Sequence, residues 1–203
     1  AIVVLFLSTA MTNAVCADDT ANAIAVLRAV QPGAVDSAAA REAVQKLKAG
    51  GEQTLMPLLY AFRDASPLAN NWLRNAFEQI VAGETTASRK LPQKELETFV
   101  LDQTQSPLAR RLVYETLKQT DAGIEGRLIP DMLLDASPEF RRDAVARLIT
   151  EAAAMPDATQ ATPLYRKAIS GAVHEDQVKT IAEALRKNNE TIDIQKHFGF
   201  LPE

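Results

Sequence analysis

From residue 36 onward the chain alternates between apolar-periodic stretches and short polar breaks. Asp36 followed by Ser-Ala-Ala-Ala-Arg-Glu-Ala-Val-Gln-Lys-Leu-Lys reads as an N-cap and about three turns of helix, stopped by Gly50-Gly51. Ser66-Pro67, Ser106-Pro107 and Ser137-Pro138 are three further helix starts. In each, Ser can accept from backbone N–H groups of the first turn, and Pro fits where its missing donor costs little. Aligned on the Ser, apolar residues recur three, seven and eleven positions later. They are Ala69, Leu73 and Phe77; Ala109, Val113 and Leu117; and Phe140, Ala144 and Leu148. Spacing of i, i+4, i+8 places them on one helix face, which predicts a core-facing stripe.

A second stripe precedes each start. Asp64, Asp102 and Asp135 stand in the three turns, the first and third of which are identical Asp-Ala-Ser-Pro segments; the second carries two extra residues. Six, three and two positions before each Asp the chain is again apolar. These residues are Leu58, Ala61 and Phe62; Leu96, Phe99 and Val100; and Ile129, Met132 and Leu133. Each unit therefore reads as helix, short turn, helix, repeating after 40 and then 31 residues. Trp72 and Tyr114 are expected to fill gaps between layers.

This pattern resembles HEAT repeats, antiparallel helix pairs with a Pro in the first helix, an Asp at the turn and an aliphatic-Arg step early in the second. The closest unit runs from Leu128-Ile129-Pro130 through Asp135 to Phe140-Arg141-Arg142-Asp143-Ala144. The first unit has Pro57 and Asp64 but Asn70 in place of the Arg, and the second has Arg110 without the Pro. The resemblance covers residues 52–150, and flanking helices at about 20–49 and 163–189 fit by periodicity alone. It implies an all-α fold of about 9–10 helices, stacked as a HEAT-like α-α superhelix over residues 18–190. A single helix pair cannot bury its apolar face alone, so about three or more are needed, and four or five are expected here. The resemblance further implies an inter-repeat ladder in which Arg110 and Arg141 bond Asp102 and Asp135 of neighbouring turns, with Asp64 in the same series. Arg111 and Arg142 would then be surface charges open to a partner.

The two ends differ from this middle. Ala1-Ile2-Val3-Val4-Leu5-Phe6-Leu7 is apolar, and no charge appears before Asp18. The run is too short for a bilayer span of about 20 residues but suits the apolar region of a secretory signal. Val15-Cys16-Ala17 offers small residues for a cut before Asp18, so residues 1–17 read as a signal peptide truncated at its start. Cys16, the sole cysteine, follows Val15 rather than the small residue that lipidation needs, and a mature chain from Asp18 has no thiol. Residues 191–203 concentrate Phe198, Phe200 and Leu201 beside Gly199 and read as the lead-in to a downstream domain.

Composition narrows the function. The 203 residues include 22 Lys or Arg against 26 Asp or Glu, a net charge of −4 that speaks against a basic nucleic-acid binder. Hydrophobic residues make up 47%, and 8 Gly with 10 Pro exclude a collagenous or low-complexity chain. His174-Glu175-Asp176-Gln177-Val178 opens like the zinc motif HExxH, but Val178 stands where the second His must be. His197 has no ligand-type spacing to it. Ser170 and His174 are four residues apart but lack a GxSxG context, and Gly123-x-x-Gly126 lacks the Lys of a phosphate loop. Glu95 with Glu97 and Asp18 with Asp19 suit solvated helix starts.

The reading is thus of a non-enzymatic protein with no catalytic, cofactor-binding or metal-binding residue. It would be exported to the periplasm or beyond, span no membrane, bind a protein or peptide, and form the N-terminal region of a larger bacterial-type polypeptide. The alternative is an accessory helical region of a secreted enzyme or carbohydrate-binding protein whose functional domain lies beyond Glu203.

Overall fold

All three Ser-Pro starts and the Gly50-Gly51 stop act where the sequence puts them. In the computed structural model, which describes residues 18–33, 37–197 and 199, helix α1 covers residues 18–29 and α2 Ser37–Gly50. Gly51 then turns at φ +61°, the left-handed conformation that a Cβ disfavours. A short 3₁₀ turn, Gly51–Thr54, leads into α3 (Leu55–Tyr60), and α4 (Pro67–Thr86) begins at the first Ser-Pro. α5 (Gln93–Leu101) and α6 (Pro107–Thr120) form the next pair. Beyond them lie α7 (Ile124–Leu128), a 3₁₀ turn at Ile129–Met132, and α8 (Pro138–Ala153). α9 (Ala158–Gly171), α10 (Glu175–Lys187) and α11 (Ile194–His197) complete the order. Among the described residues there is no strand, so the fold is all-α. The signal region 1–17 with Cys16, the proposed cap Asp36, and Phe198, Phe200 and Leu201 lie outside the described residues.

Burial follows the two stripes. Ala69, Leu73, Phe77, Ala109, Val113, Leu117, Phe140, Ala144 and Leu148 are all buried. So are the first-helix residues Leu58, Ala61, Phe62, Leu96, Phe99, Val100, Ile129 and Met132, while Leu133 is half-buried. Removing a Leu or Phe side chain from water contributes roughly 1.5–3 kcal/mol, so these faces are what holds each helix in place. Tyr114 is buried and Trp72 half-buried.

The chain divides into two compact units, one running to Leu117 and one from Lys118. In the first, α4 packs on α2 and α3, and Tyr60 of α3 meets Phe99 of α5 with ring centroids 5.8 Å apart. In the second, α8 packs on the 129–132 turn, on α9 and on α10. Its core joins Val145, Leu148, Ala161, Tyr165, Ala168, Val178, Ile181 and Leu185. The flanking stretches expected by periodicity are therefore themselves helical: α1 with α2, and α9 with α10.

Candidate functional site

Two of the turn aspartates, Asp102 and Asp135, accept hydrogen bonds from their own turns. Asp102 follows the last residue of α5, and its Oδ1 accepts from the Thr104 backbone N–H (3.0 Å) and hydroxyl (2.7 Å). Its Oδ2 accepts from Gln105 Nε2 at 2.7 Å. The bonds from Gln105 and Thr104, aided by the Arg63 charge, outweigh partial burial and hold the carboxyl at about 2, below its ordinary 3.8. Asp135, only 2% exposed, accepts from the Ser137 N–H at 2.8 Å. Asp64 is exposed, with φ +55°.

The arginines of the expected ladder reach backbone carbonyls. Arg110 is fully buried, and its Nε donates to the Val100 carbonyl at 2.6 Å. That carbonyl belongs to the last turn of α5, where intrahelical partners run out and a cation meets the negative end of the helix. Arg141 Nε donates at 3.1 Å to the carbonyl of Gly171, the last residue of α9. Arg141 thus ties α8 to the end of the following helix.

The second arginines are also engaged. Arg142 holds Asp176 through two bonds, 3.0 and 2.6 Å. These bonds raise the guanidinium above its usual range and lower the Asp176 carboxyl. The pair lies on the surface and joins α8 to α10. Gln177 adds a bond of 2.8 Å from its Nε2 to the Arg142 carbonyl. Arg111 pairs with Glu115 at 2.7 Å and lies 5.2 Å above the Tyr114 ring centroid. Elsewhere, His174 Nε2 lies 3.4 Å from the Pro138 carbonyl, and the Ser170 hydroxyl donates to the Lys167 carbonyl. His197 Nε2 sits 2.9 Å from the Ala172 carbonyl.

Two features escaped sequence reasoning. Glu84, in the last turn of α4, is buried and accepts from Arg89 at 2.5 and 2.9 Å. The Arg89 bonds, with a backbone bond from Glu52, lower its carboxyl despite burial. A side chain at Gly51 would come within 2.7 Å of Glu84 Oε1, so the glycine also makes room for this carboxylate. Glu84 interrupts an otherwise apolar-facing position, the one signal that could have flagged it.

The second feature is a groove of about 370 Å³ between α3 and α5, lined by Met56, Tyr60, Lys94, Glu95, Thr98, Phe99 and Asp102. Tyr60 is 52% exposed, an aromatic ring turned outward from the buried Leu58 and Leu59. A shallower hollow of about 450 Å³ lies in the second unit, where Ala153, Pro156, Ala161, Tyr165, Ala184 and Asn188 meet. The first of these combines exposed aromatic surface, a fixed carboxylate and concavity, the features of a side-chain receptor. No helix among the described residues is long and apolar enough to cross a membrane. Comparison with family models, with curated proteins and with solved structures finds no match for this chain.

Proposed function

We propose that this chain is an exported, non-enzymatic helical-repeat scaffold of HEAT-like character that binds a protein or peptide. The observation that carries the reading is the recurrence of one helix-turn-helix design with buried stripes on both helices of each pair. Parallel support comes from the links between successive pairs: Tyr60 to Phe99 between first helices, and Arg142 to Asp176 between second helices. Such linking leaves the outer faces of the helices open along their length, which suits the recognition of extended partners. Export is supported by the apolar run Ala1–Leu7 and the small residues Val15 and Ala17.

Two experiments test this reading. Selection of random peptides on the immobilised, folded chain should recover binders whose affinity is lost when the chain is unfolded in urea. Failure to enrich any peptide would count against an interaction role. For export, fusing residues 1–17 to a reporter should move it out of the cytoplasm and leave Asp18 as the first residue after the cut. A reporter retained inside the cell overturns that part.

A further inference from the structure

The groove between α3 and α5 has an asymmetry that selects its occupant. Tyr60 and Phe99, one from each helix, meet in a tilted pair (58° between ring planes), and Met56 extends the apolar floor. At the C-terminal end of α5 stands Asp102, and each of the three bonds that orient its carboxylate comes from an uncharged donor. The group is therefore fixed in direction without being neutralised by an ion pair. Its Oδ2 accepts one bond from Gln105, and a carboxylate oxygen can accept two. The hydrogen bonds that lower the Asp102 carboxyl keep it charged at neutral pH. The end of α5 adds the negative pole of a helix at the same place.

The positive groups nearby do not cancel this. Lys94 is eight residues before Asp102, which along a helix is about 12 Å away at 1.5 Å per residue. It borders Glu95 at the opposite end of the groove. Arg63 acts on Asp102 through its charge without bonding it, so it competes with an incoming cation rather than occupying the carboxylate.

We infer that this groove receives a basic side chain, Arg or Lys, of a partner peptide, its stem against Tyr60, Phe99 and Met56 and its cation on Asp102. An aromatic face and a carboxylate attract the same cation, and the long aliphatic stem of either residue covers apolar surface. The chain's net charge of −4 favours such a partner at long range. The inference rests on the reading of this chain as a peptide-binding scaffold, and it names what one site would select.

The test titrates the full isotope-labelled chain with two capped peptides, Ala-Leu-Arg-Leu-Ala and the same sequence with uncharged citrulline replacing Arg. The Arg peptide should shift the amides of Tyr60 and of Thr98 to Gln105, and the citrulline peptide should bind about tenfold more weakly. Asp102→Asn and, separately, Tyr60→Ala should reduce Arg-peptide affinity to the citrulline level. Arg63→Gln should strengthen it. Tyr60 is half exposed, so its truncation leaves the fold intact, as an unchanged melting curve would verify. Equal affinity for the two peptides overturns the proposal, as does Arg-peptide binding that neither Asp102→Asn nor Tyr60→Ala weakens. Shifts confined to another surface also overturn the groove while leaving the peptide-binding reading standing. That broader reading fails separately, through the absence of any selected peptide.

Discussion

The tetrapeptide Asp-Ala-Ser-Pro occurs at 64–67 and again at 135–138, and the two copies begin their helices in different ways. In the first, Asp64 takes φ +55° and faces solvent, and the Ser66 side chain accepts from the Ala69 N–H at 3.1 Å. In the second, Ser137 is buried and makes no side-chain cap, and Asp135 is buried while accepting from the Ser137 N–H. The difference lies in what covers the turn. The end of α9 comes down on Leu133, so closely that a Cβ at Gly171 would overlap the Leu133 carbonyl oxygen. Arg141 fastens the same corner by its bond to the Gly171 carbonyl. A buried donor must find an acceptor within the protein, as the Ser137 N–H does on Asp135, whereas an exposed turn can use the ordinary Ser cap. Identical local chemistry therefore yields two caps, and the neighbouring helix pair decides which one forms.

The largest expected effect comes from prising the cover off the second turn. Gly171→Ala would place a methyl against the Leu133 carbonyl and within 2.5 Å of its Cδ1. Overpacking of this kind should cost about 3 kcal/mol in urea denaturation. A loss below about 0.5 kcal/mol would mean that α9 does not clamp the turn. Next in size is the carboxylate itself. Asp135→Ala leaves the buried Ser137 N–H without its acceptor and should cost about 2 kcal/mol. Asp64→Gly, by contrast, should change stability by less than about 0.5 kcal/mol, because glycine accepts the left-handed backbone without a Cβ clash. Equal costs at the two positions would erase the distinction between the turns.

The serine caps should rank the other way. Ser66→Ala removes a real cap and should cost about 1 kcal/mol, while Ser137→Ala should cost only a few tenths, roughly the level of a surface change. Thermal melting of the two variants side by side reads this inversion. The smallest effect concerns the middle turn and appears only in acid. The folded Asp102 carboxyl titrates at about 2, below the ordinary 3.8, so its stabilisation is complete above pH 4 and fades as the pH falls toward 2. Asp102→Asn should remove that part of the acid dependence and leave stability at pH 7 to 5 with a constant offset. A wild-type and variant difference that is flat down to pH 2 would contradict the assignment.

Much of this architecture was legible before any coordinates. The spacing of Leu73 with Phe77, Val113 with Leu117, and Ala144 with Leu148 announced the buried faces, because a 3.6-residue period converts position directly into direction. The Ser-Pro pairs marked the starts of α4, α6 and α8, since Pro is tolerated in a first turn and little else there continues a preceding helix. What sequence could not supply was the acceptor for each arginine. Arg110 and Arg141 sit at the same point of their helices, yet one reaches back to the helix before it, α5, and the other forward to the helix that follows, α9. Long side chains reach whatever carbonyl the packing leaves unpaired, and that is a property of two elements together. Glu84 was hidden for the same reason, because a buried carboxylate is intelligible only beside Arg89 and the backbone near Gly51. The groove also drew no notice, because Tyr60 and Asp102 belong to different pairs.

The sequence by itself determined the helical class, the places where α4, α6 and α8 begin, and the faces they bury. These follow from local backbone preferences and from apolar periodicity, which each helix carries within its own residues. Only the tertiary structure decided which Asp-Ala-Ser-Pro turn is capped by its serine, where the arginines bond, and that Tyr60, Phe99 and Asp102 share one concave surface. Those outcomes depend on which polar groups lose water when helices meet, and desolvation is set by the neighbour rather than by the residue.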